Sequence, residues 1–306
     1  MGILQGLCSF KDNLYAAWKG ITGDQRLFYA YFDGTKWWPQ QQIPNVGSSV
    51  GPVLATDPTG SILYAAWKGT TGDQSLYYAT FYDSSWSDQQ KFPSPEGSNV
   101  GPALGTFGTV NGIFYAVWKG TTGDQSLYYA YQYYLDVASA LYWSSQEQIP
   151  SPIGSCVGPA LATDPNSGTL YAAWKGTTGD HRLWYASYDG SKWSQQQQFP
   201  SPIGSSVGPS LAWFGDNLYA AWKGTTGDER LWYASYDGSK WSQQQQFPSP
   251  IGSSVGPSLA VFNGKLYAMW KGTTGDHRLW YASYDGAKWS KQATVGGNTG
   301  QEVMPC

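Results

Sequence analysis

The chain has 306 residues, 41% of them hydrophobic and only 13% charged, so it can bury a large core and is expected to be compact. A formal net charge of -3 gives no basic footprint, which sets aside nucleic acid and anionic membrane surfaces as partners, and no apolar run is long enough for a transmembrane helix. Rings and tight turns dominate instead: 17 Trp, 23 Tyr and 38 Gly.

The opening segment, MGILQGLCSF, has no basic region followed by a long apolar run. No signal peptide is expected, and the chain reads as cytoplasmic or released without one. Cys8, Cys156 and Cys306 match neither a metal spacing nor a disulfide framework, so no metal and no cofactor are expected.

Next comes a run that recurs through the whole chain. Trp18, Trp67, Trp118, Trp174, Trp222 and Trp270 each open a Trp-Lys-Gly-(Thr/Ile)-Thr-Gly-Asp segment, at spacings of 49, 51, 56, 48 and 48 residues. A period near 50 marks a propeller or a helical array. Each unit, however, is rich in Gly, Tyr, Trp and Ser and reads as four short strands with turns between them. In the fifth unit the strands fall at 207–214, 217–224, 229–237 and 240–248, joined by Gly- and Asp-containing turns suited to hairpins.

The expected fold is therefore all-β: one domain over residues 1–306, a six-bladed β-propeller with four antiparallel strands per blade. We call the strands of each blade A to D, with A lining the channel. Val303 and Pro305 repeat the register of Val255 and Pro257, while the N-terminal segment supplies the strand before Trp18. The ring is thus expected to close by overlap of the two termini. That overlap leaves open a disulfide between Cys8 and Cys306.

Such a meander puts the B–C and D–A loops on one face and the A–B and C–D loops on the other. Substitutions and insertions collect on the second face, including an enlarged C–D connection in the third unit. On the first face the Lys-Gly-(Thr/Ile)-Thr-Gly-Asp loop persists in all six units, and a Phe-Pro-Ser-Pro-x-Gly-Ser run recurs in most D–A connections. Identical loops meeting between blades suggest a repeated pocket.

Its expected residues are the loop Lys and Asp with two strand-C residues that share a side by the period of two. In unit order these are Lys19, Asp24 and Arg26; Lys68, Asp73 and Tyr77; Lys119, Asp124 and Tyr128; Lys175, Asp180, Arg182 and Trp184; Lys223, Asp228, Arg230 and Trp232; Lys271, Asp276, Arg278 and Trp280. A charged donor beside a ring suits a sugar, whose C–H face stacks on the ring while its hydroxyls take hydrogen bonds. Single sites of this kind are weak, about -4 kcal/mol, and several on one face gain strength by avidity. The Trp of each Trp-Lys-Gly run and the Tyr three residues after the strand-C Arg or Ser are expected in the core.

Units two and three carry Ser75 and Ser126 where the others carry Arg, and Tyr where units four to six carry Trp. Their clefts are expected to be weaker than those of units four and five. So is the seam, where the last D–A run lacks the Phe-Pro-Ser-Pro segment.

Six units of LYAAWKGTTGDxRLWYA followed by WSQQQQFP resemble, along the entire chain, the mushroom lectins of the Agrocybe type that bind terminal N-acetylglucosamine. The resemblance implies a six-bladed propeller that recognises non-reducing terminal GlcNAc between blades, agglutinates glycan-bearing cells and serves fungal defence. Its partners would be glycans and glycoproteins; a homodimer is left open. Fungal fucose-binding lectins, also six-bladed and using Arg, a carboxylate and a ring between blades, are the nearest alternative. A protein-binding scaffold is a third reading, disfavoured by six near-identical loops.

No enzyme is expected. The Ser-Tyr-Asp-Gly-Ser-Lys-Trp run at 187–193 approaches the turn motif of sialidase-like propellers, but its spacing is one residue short. The arginines are dispersed among blades, and each unit supplies one recurring carboxylate where glycoside hydrolysis needs two within about 5 to 10 Å. His181 and His277 replace Gln or Glu at a loop position that looks tolerant.

Overall fold

A computed structural model describes residues 6–93, 97–109, 112–135, 140–150, 152–200 and 202–296. It is all-β and forms six antiparallel sheets, each a meander in chain order. The fifth blade is representative: A is Ser210–Phe214, B is Asn217–Lys223, C is Leu231–Tyr236, and D is the two-residue Gln245–Gln246. The second and third blades each pair two short segments with strand C on its outer side, Ser85–Trp86 with Gln90–Lys91 and Ala140–Trp143 with Glu147–Gln148. Outer strands this short leave little free edge.

Strand alternation explains why both faces of a blade are apolar. Leu218, Ala220 and Trp222 of strand B point towards the fourth blade, while Ala221 with Leu231 and Tyr233 points towards the sixth. Each sheet is covered on both sides, so its strands lack the polar alternation of a half-exposed sheet. The Trp-Lys-Gly tryptophans are accordingly buried, as the sequence suggests, and so is most of the Tyr series.

The A strands adjoin one another around the axis, and Gly6–Phe10 of the first blade lies between Val53–Thr56 of the second and Ser258–Phe262 of the sixth. Further out, a repeated aromatic contact joins each blade to the next: Tyr29–Trp86, Tyr78–Trp143, Tyr129–Trp193, Tyr185–Trp241, Tyr233–Trp289 and Tyr281–Trp37. Centroids lie 5.5 to 6.1 Å apart with planes at 66 to 77°. The last pair closes the ring, together with Phe32 against Phe262 and Tyr267. The expected overlap of the termini and Cys306 fall on residues 297–306, outside those described.

Candidate functional site

The B–C loop has a structural reason for every residue. In the fifth blade Gly224 sits against the Asp228 carboxylate, where any Cβ would collide, and Gly227 has φ +86°. Both positions therefore require glycine. Asp228 N–H donates to Thr225 O at 2.9 Å and Gly224 N–H to Arg230 O at 3.0 Å, which closes the loop onto strand C. The second Thr reaches the neighbouring blade: Gln25 Oε1 accepts from Thr71 N–H at 2.7 Å, and Gln74, Gln125 and Glu229 do the same for Thr122, Thr178 and Thr274.

At four joints the residue after the Asp, at a position that looked tolerant in the sequence, is thus a bridge between blades. His181 and His277 occupy that position at two joints, and no such bond is formed there among the described residues.

The lysines are placed differently from the sequence expectation. Lys68, Lys119, Lys175 and Lys223 are buried, and Lys19 and Lys271 nearly so. Their ammonium groups point into the joint, where they are already bonded. Lys68 Nζ donates to Ser49 Oγ at 2.8 Å and Lys119 Nζ to Asn99 Oδ1 at 2.9 Å. Lys223 and Lys271 reach Ser206 and Ser254 at 3.2 and 2.9 Å, and Lys175 reaches Cys156 Sγ at 3.1 Å. Lys19 donates instead to the carbonyls of Gly20 and Asp24 at 3.0 and 2.8 Å. Burial lowers the pKa of Lys19, Lys68 and Lys119, opposed by attraction to Asp24, Asp73 and Asp124.

The preceding Ser completes the joint. Ser205 Oγ donates to Lys223 O at 2.6 Å, and Ser205 N–H to His181 O at 2.8 Å. Loop identity across the six units therefore has a cause in the fold itself: these loops fasten each blade to the next.

What faces the cleft is the Asp, the Arg and the ring. The Asp228 side chain is only 21% exposed. Oδ1 accepts from Arg230 N–H at 3.0 Å and Arg230 Nε–H at 2.8 Å, and Oδ2 accepts from Trp232 Nε1–H at 3.3 Å. Asp180 and Asp276 hold Arg182 with Trp184 and Arg278 with Trp280 in the same way. Burial would raise these carboxyls, but bonds from Arg side chain, backbone and Trp outweigh it; Asp276 is held at about 2. In blades two and three Asp73 and Asp124 accept from Tyr77 and Tyr128 hydroxyls at 2.9 Å, with no Arg alongside. Asp24 takes Arg26 through two contacts of 2.9 Å.

The shared side expected from the strand period is seen directly. Each guanidinium lies over its ring, Arg26 on Phe28, Arg182 on Trp184, Arg230 on Trp232 and Arg278 on Trp280, at 4.6 to 5.4 Å from the centroid. These Arg side chains are 51 to 57% exposed, so each stays accessible to solvent while paired to its Asp.

The opposite wall comes from the preceding blade. Trp232 packs against the cluster that holds Phe199 and Ile203, Trp184 against the one that holds Ile149 and Ile153, and Trp280 against the one that holds Phe247 and Ile251. Tyr77 packs against the cluster with Ile43 and Val46, Tyr128 against the cluster with Phe92, and Phe28 shares a cluster with Val295. This assignment was not available from sequence, because only packing shows which neighbour supplies the wall. It places a complete wall at Trp280 and puts the seam at Phe28. A separate cavity of about 740 Å³ runs along the axis, lined by the Val-Gly-Pro runs. Among the described residues no group of His, Cys, Asp and Glu suited to a metal is found.

No family model and no curated relative matches the chain. Solved structures do. The fucose-binding lectin of Aleuria aurantia, described as a six-bladed β-propeller with a novel fucose recognition mode, is 16% identical with a TM-score of 0.66 and 97% and 96% coverage of the two chains. AofleA of Arthrobotrys oligospora is 12% identical, TM-score 0.70, covering 95% and 86%. SapL1 lectin, solved with α-methyl fucoside, is 14% identical, TM-score 0.62, covering 98% and 96%. At these identities the likeness establishes the shared propeller fold.

Proposed function

We propose that this chain is a multivalent carbohydrate-binding lectin whose sites are the clefts between blades. The observation that carries the reading is the repeated placement of an exposed Arg over an aromatic ring, fixed by an Asp and facing an apolar wall from the preceding blade. A pyranose stacks its C–H face against such a ring and wall, and its hydroxyls accept from the guanidinium. The buried lysines act by holding the joint.

Of the two sugars raised by the sequence, fucose has the support of the solved neighbours, several of which are named as fucose-binding lectins. N-acetylglucosamine has the support of the repeat motif alone. Binding to a glycan array, with reversal of red-cell agglutination by free fucose and by free GlcNAc, decides between them. Agglutination reversed by fucose at lower concentration than by GlcNAc is the expected result. Reversal by GlcNAc alone selects the second sugar, and absence of any glycan binding replaces the lectin with a protein-binding scaffold.

A further inference from the structure

At the joint between the third and fourth blades the residue facing the buried lysine is a thiol. Ser49, Asn99, Ser206 and Ser254 hold this position elsewhere, each accepting from its Lys Nζ through oxygen. Cys156 Sγ lies 3.1 Å from Lys175 Nζ. Lys175 is 5% exposed, and its ammonium donates to the thiol. The pair is held in register from the main chain, since Cys156 N–H donates to Gly176 O at 3.2 Å and Ser155 Oγ to Lys175 O at 2.7 Å. Cys156 is partly exposed as a residue.

We propose that Cys156 and Lys175 form an oxidant-dependent modification site, in which a hydroperoxide converts the thiol to a sulfenic acid and the lysine amine captures it as a sulfenamide. The sulfur attacks the terminal peroxide oxygen and breaks the O–O bond, the thiol proton leaving with the displaced oxygen; water leaves when the oxidant is hydrogen peroxide. The neutral amine of Lys175 then attacks sulfur, forming the S–N bond and expelling the sulfenic oxygen as a second water. In sum, thiol, amine and hydrogen peroxide give sulfenamide and two waters, with sulfur oxidised and peroxide reduced by one electron pair. Two equivalents of a thiol reductant reverse it, leaving as their disulfide. The bond would tie the D–A loop of the third blade to the B–C loop of the fourth, beside the cleft of Trp184.

The test uses the full chain carrying Cys306→Ser, treated with hydrogen peroxide and mapped by mass spectrometry after trypsin. The expected result is a linked peptide pair containing Cys156 and Lys175, lighter than its two parts by two hydrogens, with loss of cleavage at Lys175 and restoration by dithiothreitol. Lys175→Arg, which keeps a cation at the joint, should yield no linked pair. Cys156→Ser recreates the Ser–Lys contact of the fifth and sixth blades, so it should fold and leave cleavage at Lys175 complete. Cys8, whose thiol burial pushes up to about 12, should stay unmodified. Cys156 left as thiol, found as sulfenic or sulfinic acid without the link, or modified no faster than Cys8 overturns the proposal.

Discussion

Tyr281 of the sixth blade stands edge-on to Trp37 of the first, their ring centroids 5.7 Å apart and their planes at 71°. It repeats the contact made at the other five joints, so within the described residues the ring closes by the same side-chain chemistry that spaces every blade. Trp37 is also buried against Phe32. Trp37→Ala should therefore lower stability by about 3 to 5 kcal/mol, as for other buried aromatics truncated to Ala. Tyr82→Ser, at the 62% exposed end of a strand, should stay within about 0.5 kcal/mol. Urea unfolding of both variants checks the contrast, and equal midpoints would refute a closing role for Trp37.

Lys68 should prove structural. Replacing it with Met removes the donor that joins Ser49 to the loop carbonyls of Gly69 and Thr70. Gly69 O and Thr70 O keep their bonds from Ser49 and Asp73 N–H, but a lost hydrogen bond to a charged group costs about 1.5 to 3 kcal/mol, so the thermal midpoint should fall clearly. Sugar affinity of the other clefts should be unchanged. Titration calorimetry beside thermal melting separates the two effects, and a normal midpoint with lost binding would restore Lys68 to the site.

The cleft carboxylates should make the protein acid-sensitive. Asp276 is ionised in the folded state down to about 2, against 3.8 for a free side chain, because Arg278 and Trp280 donate to it. A depressed pKa means that the unfolded chain binds the proton first as pH falls. The stabilisation is thus complete above 3.8 and is lost as pH drops through about 2. Melting curves across this window should show a smaller decline for Asp276→Asn than for the parent; identical slopes would contradict it.

The propeller itself was legible in the sequence because its signals are local and repeated: one Trp-Lys-Gly run per blade, hairpin turns at fixed offsets, and alternation in each strand. The pairing of Arg182 with Trp184 on one side followed from the strand period alone. The role of Lys175 and its equivalents was not legible. A Lys in a Gly-rich turn reads as exposed, and only the D–A loop arriving from the previous blade shows that its ammonium is enclosed. The same holds for Gln25, whose partner Thr71 lies 46 positions away. Loop identity therefore pointed to a repeated ligand site when much of it reflects a repeated joint.

Arg230 should matter for binding and little for folding. Its side chain is 57% exposed and its ion pair with Asp228 is open to solvent, so Arg230→Ala should change stability by no more than about 1 kcal/mol. Loss of a charged donor in a wet cleft should weaken that site roughly tenfold, the lower part of the range for such bonds. The paired change Ser75→Arg with Tyr77→Trp should strengthen the second cleft by a similar factor. Unaltered affinity in both variants would remove Arg from the site.

Graded soaking of crystals with fucose and with GlcNAc, read as occupancy at each cleft, tests the central claim most directly. Sugar is expected first at Trp184, Trp232 and Trp280, where Arg, ring and a wall from the preceding blade coincide. Tyr77 and Tyr128 should fill at higher concentration, and Phe28, where the seam wall differs, should fill late. Equal occupancy of all six clefts at low concentration would contradict the ranking, and sugar confined to the axial cavity would contradict the cleft account altogether.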